Sequence, residues 1–233
     1  MAGTPRIPRP TAARVSLYLR ELERRLERGE STIRSRELGH CLGLTDTQVR
    51  KDLGHIGHLG FPGVGYRIED LIARLRFLSG TDRGWRAAVV GVGNIGRALL
   101  SYDRFESEGF RIVAAFDSDP EKIGRHVGTH EILPMERLGE LVRERGIRIA
   151  IVTTPPAAAQ DAADALVEAG ISGILNFAPC RLEVPPSVVS TEVDLGMSLL
   201  QLALQVRLVN GDLLEIEEDP ARSGPVRARS IRR

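Results

Sequence analysis

Cysteine is scarce in this chain. Its 233 residues include two, Cys41 and Cys180, which lie far apart and form no C-x-x-C pair. Disulfide frameworks and zinc sites need more cysteine or histidine at closer spacings. We therefore expect neither a disulfide framework nor a metal site. Each thiol is interpreted as a small buried hydrophobic group in preference to a redox sensor.

Long apolar runs are also lacking. No segment approaches the roughly 18 consecutive apolar residues of a membrane-spanning helix, and the N-terminus has no signal-peptide core. These absences predict a cytoplasmic protein that makes no membrane contact. The length suits one large domain or two modest ones.

Charge is spread unevenly, although the net charge is only +1. Residues 1–85 carry 15 basic and 10 acidic side chains, and residues 86–219 carry 12 and 21. The last 14 residues carry five arginines and no acid. A basic N-terminal part on an acidic body indicates that the N-terminal part binds a polyanion.

The most informative motif follows a short apolar segment that begins at residue 87 and is predicted to be a buried strand. It reads Gly91-Val92-Gly93-Asn94-Ile95-Gly96 and leads into a predicted helix. In a G-x-G-x-x-G turn the first glycine makes the tight turn, the second admits a pyrophosphate, and the third packs helix on strand. The phosphates would lie at the helix N-terminus. The alternative is a glycine-rich turn without a ligand.

An acidic residue stands where a dinucleotide site needs one. A second predicted strand, 111–116, ends at Asp117, 21 residues beyond Gly96. A carboxylate there accepts the ribose 2′-hydroxyl and repels a 2′-phosphate. The sequence therefore predicts a site for NADH and NAD+ rather than for NADP(H).

The basic N-terminal part has the pattern of a helix-turn-helix. An apolar stripe predicts a first helix that Thr11 could cap. A second helix, capped by Ser35, is closed by Gly43. Thr45 and Gln48 form a capping box at the start of a third helix, and a linker helix is predicted over 68–78.

The third helix has the features of a DNA recognition helix. It buries Val49, Leu53 and Ile56 at helical spacing and leaves a basic face for the major groove. The turn-rich segment 60–66 is predicted to form a hairpin, or wing. The residues expected at double-stranded DNA are Thr45, Thr47, Gln48, Arg50, Lys51, Gly63 and Gly65. The alternative is a helical hairpin with a solvated basic face.

Beyond residue 117, strands and helices alternate with short loops, which predicts a doubly wound parallel sheet. A helix is expected over 134–145 and strands over 147–154 and 173–177. Ligands bind at the carboxyl ends of such strands. The loops there predict a nicotinamide pocket bordered by Thr153, Thr154, Pro155, Asn176 and Phe177.

The body offers few candidates for catalysis. Its only histidines, His126 and His130, fall in a predicted loop, and Lys122 is its only lysine. Hydride transfer to a carbonyl needs a positioned acid or base and a substrate pocket. The pattern argues against an enzyme that turns over a small-molecule substrate.

The last predicted helix, 195–209, starts after a capping Asp194 and is apolar on nearly every side. Such a helix must be buried on more than one face, which a second subunit would achieve. The predicted division is a winged-helix domain over 1–84, a Rossmann domain over 85–193, a dimerisation helix over 194–210 and a disordered tail over 211–233.

Five motifs together carry a resemblance to a known family: QVRKDL at 48–53, GVGY at 63–66, GVGNIG at 91–96, FDSDPEK at 116–122 and GILNFAP at 173–179. With them the chain resembles the bacterial redox-sensing transcriptional repressors of the Rex family. The resemblance implies a homodimer with exchanged C-terminal helices. NADH and NAD+ would compete for one site, NADH would release operator DNA, and the repressed genes would serve respiration and fermentation.

The resemblance also implies a switching contact among Arg14, Tyr102 and Asp194, which rearranges between cofactor states. Three places depart from the family pattern. Gly54-His55-Ile56 stand where an aromatic-rich stretch is common. Pro62 stands where a wing arginine is common, and Leu195 stands where an aromatic residue can occur.

Two other functions remain open from the residues alone. One is an NAD-dependent oxidoreductase with an unrelated helical appendage. The other is a dimeric nucleotide-binding scaffold.

Overall fold

The N-terminal domain combines four helices with a small sheet. The structure is a computed structural model that describes residues 7–57, 59–61 and 63–210. The elements of this domain are α1 (Arg9–Glu27), β1 (Thr32–Ile33), α2 (Ser35–Leu42), α3 (Asp46–Ile56), β2 (Gly60–Phe61), β3 (Gly65–Arg67) and α4 (Ile68–Ser79).

One hydrophobic core joins these elements. Side chains from all four helices and from β1 are fully buried together, among them Tyr18, Leu38, Leu53, Leu71 and Ile33. The strands pair antiparallel in the order β1-β3-β2, so the predicted wing is a hairpin beside the helices. The helix predicted over 68–78 is confirmed, but α4 is part of the core rather than a simple linker.

The start and end signals of the helices are mostly confirmed. Gly43 closes α2 in the left-handed conformation, and the Thr45 side chain accepts the Gln48 N–H at 3.1 Å. Two capping roles are wrong: Ser35 is the first residue of α2, whose N-cap is Arg34, and Thr11 does not cap α1. The helix α1 begins at Arg9, three residues before the predicted start, with Pro10 in its first turn, and Thr11 is buried within it.

The interpretation of the thiols is wrong for Cys41, which is exposed; Cys180 is half-buried. Leu38 and Leu42 take the core-facing positions of α2, one turn apart. Cys41 therefore lies on the outer side, where its Sγ is 3.1 Å from the Arg25 guanidinium.

The second domain is built on a larger sheet. Its elements are β4 (Trp85–Val90), α5 (Asn94–Leu100), α6 (Arg104–Ser107), β5 (Phe110–Asp117), β6 (His126–Val127), β7 (His130–Pro134), a 3₁₀ turn (Met135–Arg137), α7 (Leu138–Glu144), β8 (Ile149–Val152), α8 (Pro156–Glu168), β9 (Gly173–Asn176) and β10 (Val189–Glu192).

The strand order is β10-β9-β8-β4-β5-β7-β6, with every pair parallel except β6 and β7. Along β4, Ala88 and Val90 belong to the core on one face, and Val89 belongs to the core on the other. Burial on both faces is the mark of a helix-covered parallel sheet. The prediction of a doubly wound α/β fold is confirmed.

Three local predictions in this domain are wrong. His126 and His130 lie in the short strands β6 and β7, not in a loop. Pro134 ends β7, and α7 begins only at Leu138 because the 3₁₀ turn intervenes. The edge strand β10 is absent from the prediction, since three of its four residues are exposed and its pattern is not apolar.

The last helix, α9 (Leu195–Asn210), buries none of its residues in the single chain. The cap at Asp194 is confirmed, because its Oδ1 accepts the Met197 N–H at 2.8 Å. Its large apolar side chains are at least half exposed along its length, including Leu199 at 66% and Leu200 at 65%. Among the described residues no helix is long and apolar enough to cross a membrane.

A buried carboxylate fixes α3 against α1. Asp52 is 1% exposed, and four side chains donate to it. Their donor–acceptor distances lie between 2.6 and 3.0 Å, and the donors are Thr11, Arg14, Tyr18 and Gln48. Burial alone would raise the pKa of Asp52, but these donors outweigh it and lower the pKa to about 2. The orientation of α3 therefore depends on one ionised group.

We expect Asp52→Asn to destabilise the protein by about 2 kcal/mol at pH 7, since the pKa in the fold lies nearly two units below its ordinary value. This contribution is complete above the ordinary pKa near 4 and is lost as the pH falls towards 2. Denaturant unfolding at pH 7 and pH 3 measures both effects. Asp46→Asn, at a partly exposed acid of the same helix, is the control. Equal losses from both variants would contradict the prediction.

Candidate nucleotide site and DNA-binding surface

The three motif glycines have different roles in the structure. Gly91 has φ +91°, and a Cβ on it would lie 2.8 Å from the Thr154 backbone nitrogen. A Cβ on Gly96 would lie 2.2 Å from the Gly91 carbonyl oxygen. A Cβ on Gly93 would meet nothing within 4 Å. The fold itself requires the first and third glycines, whereas the second leaves an open approach to the backbone, as a pyrophosphate needs.

The end of β8 supports this turn. The Thr153 hydroxyl donates to the Gly91 carbonyl, and the Thr153 N–H donates to Val90 at 2.8 Å. Thr154 differs, because its buried Oγ1 has no hydrogen-bond partner among the described atoms. A buried hydroxyl without a partner is unusual and fits a polar ligand atom at this point. Pro155, the next residue, is exposed.

Asp117 ends β5 beside the same turn. Its Oδ2 accepts the Val92 N–H at 2.7 Å and the Lys122 ammonium at 3.0 Å, and its Oδ1 accepts the Asp119 N–H at 2.9 Å. Burial opposes ionisation, but the two N–H groups and the ammonium outweigh it and lower the pKa of Asp117. The carboxylate is thus ionised at neutral pH, and Oδ1 keeps one free acceptor position.

The second predicted loop is shaped by Asn176. Its side chain is fully buried, donates to the Cys180 carbonyl at 2.7 Å and accepts the Ala178 N–H at 2.9 Å. Phe177 packs half-buried against the core. Asn176 therefore holds the loop in shape, and any contact between its side chain and a cofactor stays a prediction.

Together these features fit a dinucleotide. The open glycine turn, with Asn94 and Ile95 exposed at the start of α5, would hold the phosphates, and Asp117 would hold the ribose. When bound, NAD(H) would supply a redox-sensitive nicotinamide at the ends of β8 and β9. The predicted site residues from both strand ends do lie on one edge of the sheet.

The outer face of α3 carries the predicted DNA-contact residues. Thr47, Arg50 and Lys51 are exposed on it, and Thr45 is exposed at its start. Gly54 continues this face one turn further, and a Cβ there would meet nothing within 4 Å. The face is polar and basic, and the residues named on it include no large apolar side chain, which suits entry into a major groove.

Two side chains on α3 are not free in the single chain. Gln48 is half-buried and donates to Asp52, so a base contact by its amide would require that bond to break. Arg50 is paired with Asp46 at 2.8 Å. That pair is exposed on both sides, and exposed pairs add little stability, so DNA phosphates could replace it.

The wing has a tight base and an apolar tip. Gly65 has φ +106°, and a Cβ there would lie 2.5 Å from the Ile33 carbonyl oxygen, so glycine is required by packing. Gly63 is exposed with φ +79°. Phe61 and Val64 are exposed at the tip, and the sequence prediction did not include them. Pro62 lies outside the described residues.

The three predicted switch residues have separate partners within one chain. Arg14 is bound to Asp52. Tyr102 is exposed and makes an edge-to-face contact with Phe105, with ring centroids 5.0 Å apart. Asp194 caps α9, and Leu195 is exposed beside it. The contact among the three stays a prediction.

Asp52 was the functional group that sequence reasoning missed. Its signal is an acid placed between Val49 and Leu53 on the apolar side of the predicted helix. A charge at such a position must be paired when it is buried.

Comparisons with known proteins agree with both halves of the chain. Residues 6–54 match the family model described as putative DNA-binding protein N-terminus, and residues 82–180 match the one described as CoA binding domain.

Relatives and solved structures extend the match to most of the chain. The redox-sensing transcriptional repressor Rex of Carboxydothermus hydrogenoformans is 43% identical over 202 residues, 87% of this chain and 97% of the relative. That of Streptomyces griseus subsp. griseus is 39% identical over 222 residues, 95% and 87% of the two chains.

Crystal structures of RSP, a Rex-family repressor, are also similar. The complex with β-NAD+ and operator DNA has a TM-score of 0.81, with 33% identity over 88% of this chain and 94% of that one. The complex with β-NADH has a TM-score of 0.80, with 32% identity over 88% and 96%. This chain belongs to the Rex family of redox-sensing transcriptional repressors.

Proposed function

We propose that this protein is an NAD(H)-responsive transcriptional repressor. A homodimer binds double-stranded operator DNA, NADH releases it, and NAD+ permits binding. The observation that carries the proposal is the presence, in one chain, of an open glycine turn beside an ionised Asp117 and an exposed basic face on α3.

The DNA interface is the outer face of α3 together with the wing. Arg50 and Lys51 contact phosphates or guanine edges in the major groove. Thr45 and Thr47 lie at the start of the helix, nearest the sugar-phosphate backbone of the DNA. Gly63 brings the wing backbone close to the DNA. The crystal structure of the relative RSP contains operator DNA, which supports a DNA-binding role for this domain.

The dinucleotide site senses redox state by binding NADH or NAD+, without catalysing hydride transfer to a substrate. RSP was solved with β-NAD+ and with β-NADH, so both forms are the proposed ligands here. An oxidoreductase is disfavoured because the relatives are named as redox-sensing transcriptional repressors. Steady consumption of NADH with a small carbonyl substrate would instead favour the enzyme.

Dimerisation buries α9. This helix exposes apolar side chains on all sides, and an isolated helix of that kind is not stable in water. A second copy of the chain would cover it, through exchange of the two C-terminal helices. Two-fold symmetry also matches a palindromic operator with paired half-sites.

Arg14 links the cofactor state to α3. In the single chain it is bound to Asp52, the carboxylate that fixes the recognition helix. In the dimer, Asp194 from the second copy would compete for the guanidinium, with Tyr102 as the third member. A bidentate Arg–carboxylate pair is specific in orientation, so its exchange can favour one of two packings.

The regulated genes are proposed to be those of respiration and fermentation, since their products reoxidise NADH. A protein that binds operator DNA must share a compartment with that DNA. This requirement supports the proposed cytoplasmic location.

We expect Arg50→Ala and Lys51→Ala to weaken operator binding strongly while NADH affinity is unchanged. For a phosphate contact, the slope of log affinity against log salt falls by about one. Fluorescence anisotropy on a duplex that this protein selects from random sequence measures the operator affinity and its salt slope. Calorimetry measures the NADH affinity. Arg104→Ala is the control, because Arg104 is an exposed cation on the other domain. Unchanged DNA affinity in both α3 variants would place the interface elsewhere.

Saturating NADH should lower operator affinity of the wild-type protein, and NAD+ should not. Asp194→Ala should reduce the NADH effect while both ligands still bind, because Asp194 belongs to neither the glycine turn nor α3. The same anisotropy assay with each dinucleotide tests this. An NADH effect of wild-type size in the variant would remove Asp194 from the switch, and no effect in wild type would refute redox sensing.

A further inference from the structure

Lys122 occupies an unusual place in this chain. It is one of two lysines among 32 Lys and Arg residues. It follows β5, and its Nζ lies 3.0 Å from Asp117 Oδ2 and 3.6 Å from Asp119 Oδ2. Its side chain is 28% exposed, so the ammonium is held by two carboxylates but is still open to solvent.

The ion pair between Lys122 and Asp117 limits what the Asp117 carboxylate can bind. A carboxylate has about four acceptor positions. Oδ2 uses both of its positions for the Val92 N–H and Lys122, and Oδ1 uses one for the Asp119 N–H. One position remains for one ribose hydroxyl. A 2′-phosphate could not use it, because a phosphate ester at neutral pH offers no donor and carries negative charge.

The Lys122–Asp117 ion pair also contains the cation that a 2′-phosphate would need. Rossmann sites that accept NADP carry a cation near the ribose end in addition to, or in place of, the acid. Here the cation is present, within hydrogen-bond distance of the acid. Its charge is balanced by Asp117, at hydrogen-bond distance, and by Asp119, at 3.6 Å, so a phosphate would have to compete with two carboxylates for it.

We propose that Lys122 is a specificity-determining residue, whose ammonium Asp117 withholds from the 2′-phosphate of NADP(H). Once freed from Asp117, the ammonium would bind that phosphate. The preference for NAD(H) thus arises from the pairing of the two residues and not from the acid alone. The inference rests on the proposed NAD(H) site.

A double-mutant cycle tests the pairing. Dissociation constants for NADH and NADPH are measured by calorimetry on the wild type, Asp117→Asn, Lys122→Met and the double variant. Asp117→Asn should tighten NADPH binding about tenfold, the effect of one charge-assisted hydrogen bond. The double variant should lose this gain, and Lys122→Arg in the Asp117→Asn background should keep it. Equal NADPH affinity of Asp117→Asn and the double variant would overturn the proposal.

A second measurement does not depend on a change at Asp117, whose replacement by Asn leaves one oxygen for the two N–H groups, of Val92 and Asp119, that the carboxylate accepts. In Lys122→Met the charge of Asp117 is uncompensated, so NADPH binding should weaken more than NADH binding. Arg125→Met is the control, because Arg125 is an exposed cation of the same segment. An unchanged ratio of the two constants in Lys122→Met would contradict the proposal.

The wild type separates the two levels of inference. If it binds neither dinucleotide, the proposed cofactor site is wrong. If it binds NADH but both tests of Lys122 fail, only the specificity role is wrong.

Discussion

The close packing of the glycine turn against the end of β8 is the constraint on which the nucleotide site depends. Any side chain at Gly91 or Gly96 would overlap backbone atoms at 2.2–2.9 Å. The turn lies where strand order reverses, because β5 and β7 continue on one side of β4 and β8 and β9 on the other. Ligands bind at such switch points in doubly wound sheets. The same packing places Asp117 beside the turn, where the Val92 N–H holds its carboxylate.

A second constraint lies in the N-terminal domain, where one buried carboxylate orients α3, the proposed recognition helix. Asp52 receives donors from α1 and from α3 itself, so the angle between these helices depends on an ion pair with Arg14. Removing one member of a buried pair leaves an uncompensated charge, which is strongly unfavourable. A competing carboxylate for Arg14 would therefore act directly on α3. In the proposed dimer, a second copy that covers the exposed apolar surface of α9 would bring such a carboxylate.

Local signals explain how much of this could be predicted from sequence. The Thr45 cap, the Gly43 terminator, the G-x-G-x-x-G turn and the alternation of strands and helices each depend on neighbouring residues, and the structure confirms them. β10 and the β6–β7 hairpin escaped prediction because short, half-exposed strands are stabilised by their partners rather than by their own pattern.

Side-chain partners were predicted least well. Periodicity places Gln48 and Arg14 on helices, but it does not show that both turn towards Asp52. The same holds for Asn176, whose amide holds its own loop, and for Cys41, which faces outward. These outcomes depend on contacts across elements far apart in sequence. The proposed contact of Asp194 with a second copy would depend in addition on a partner chain.

The coupling between the cofactor site and the DNA-binding surface is tested most directly by measuring NADH affinity with and without operator DNA. NADH is titrated by calorimetry into the protein alone and into the protein saturated with its operator duplex. Linkage requires that each ligand weaken the other by the same factor, typically worth about 1–3 kcal/mol. We expect NADH affinity to fall in the operator complex by the factor by which NADH lowers operator affinity. Equal NADH affinity with and without operator would contradict the coupling between the two sites.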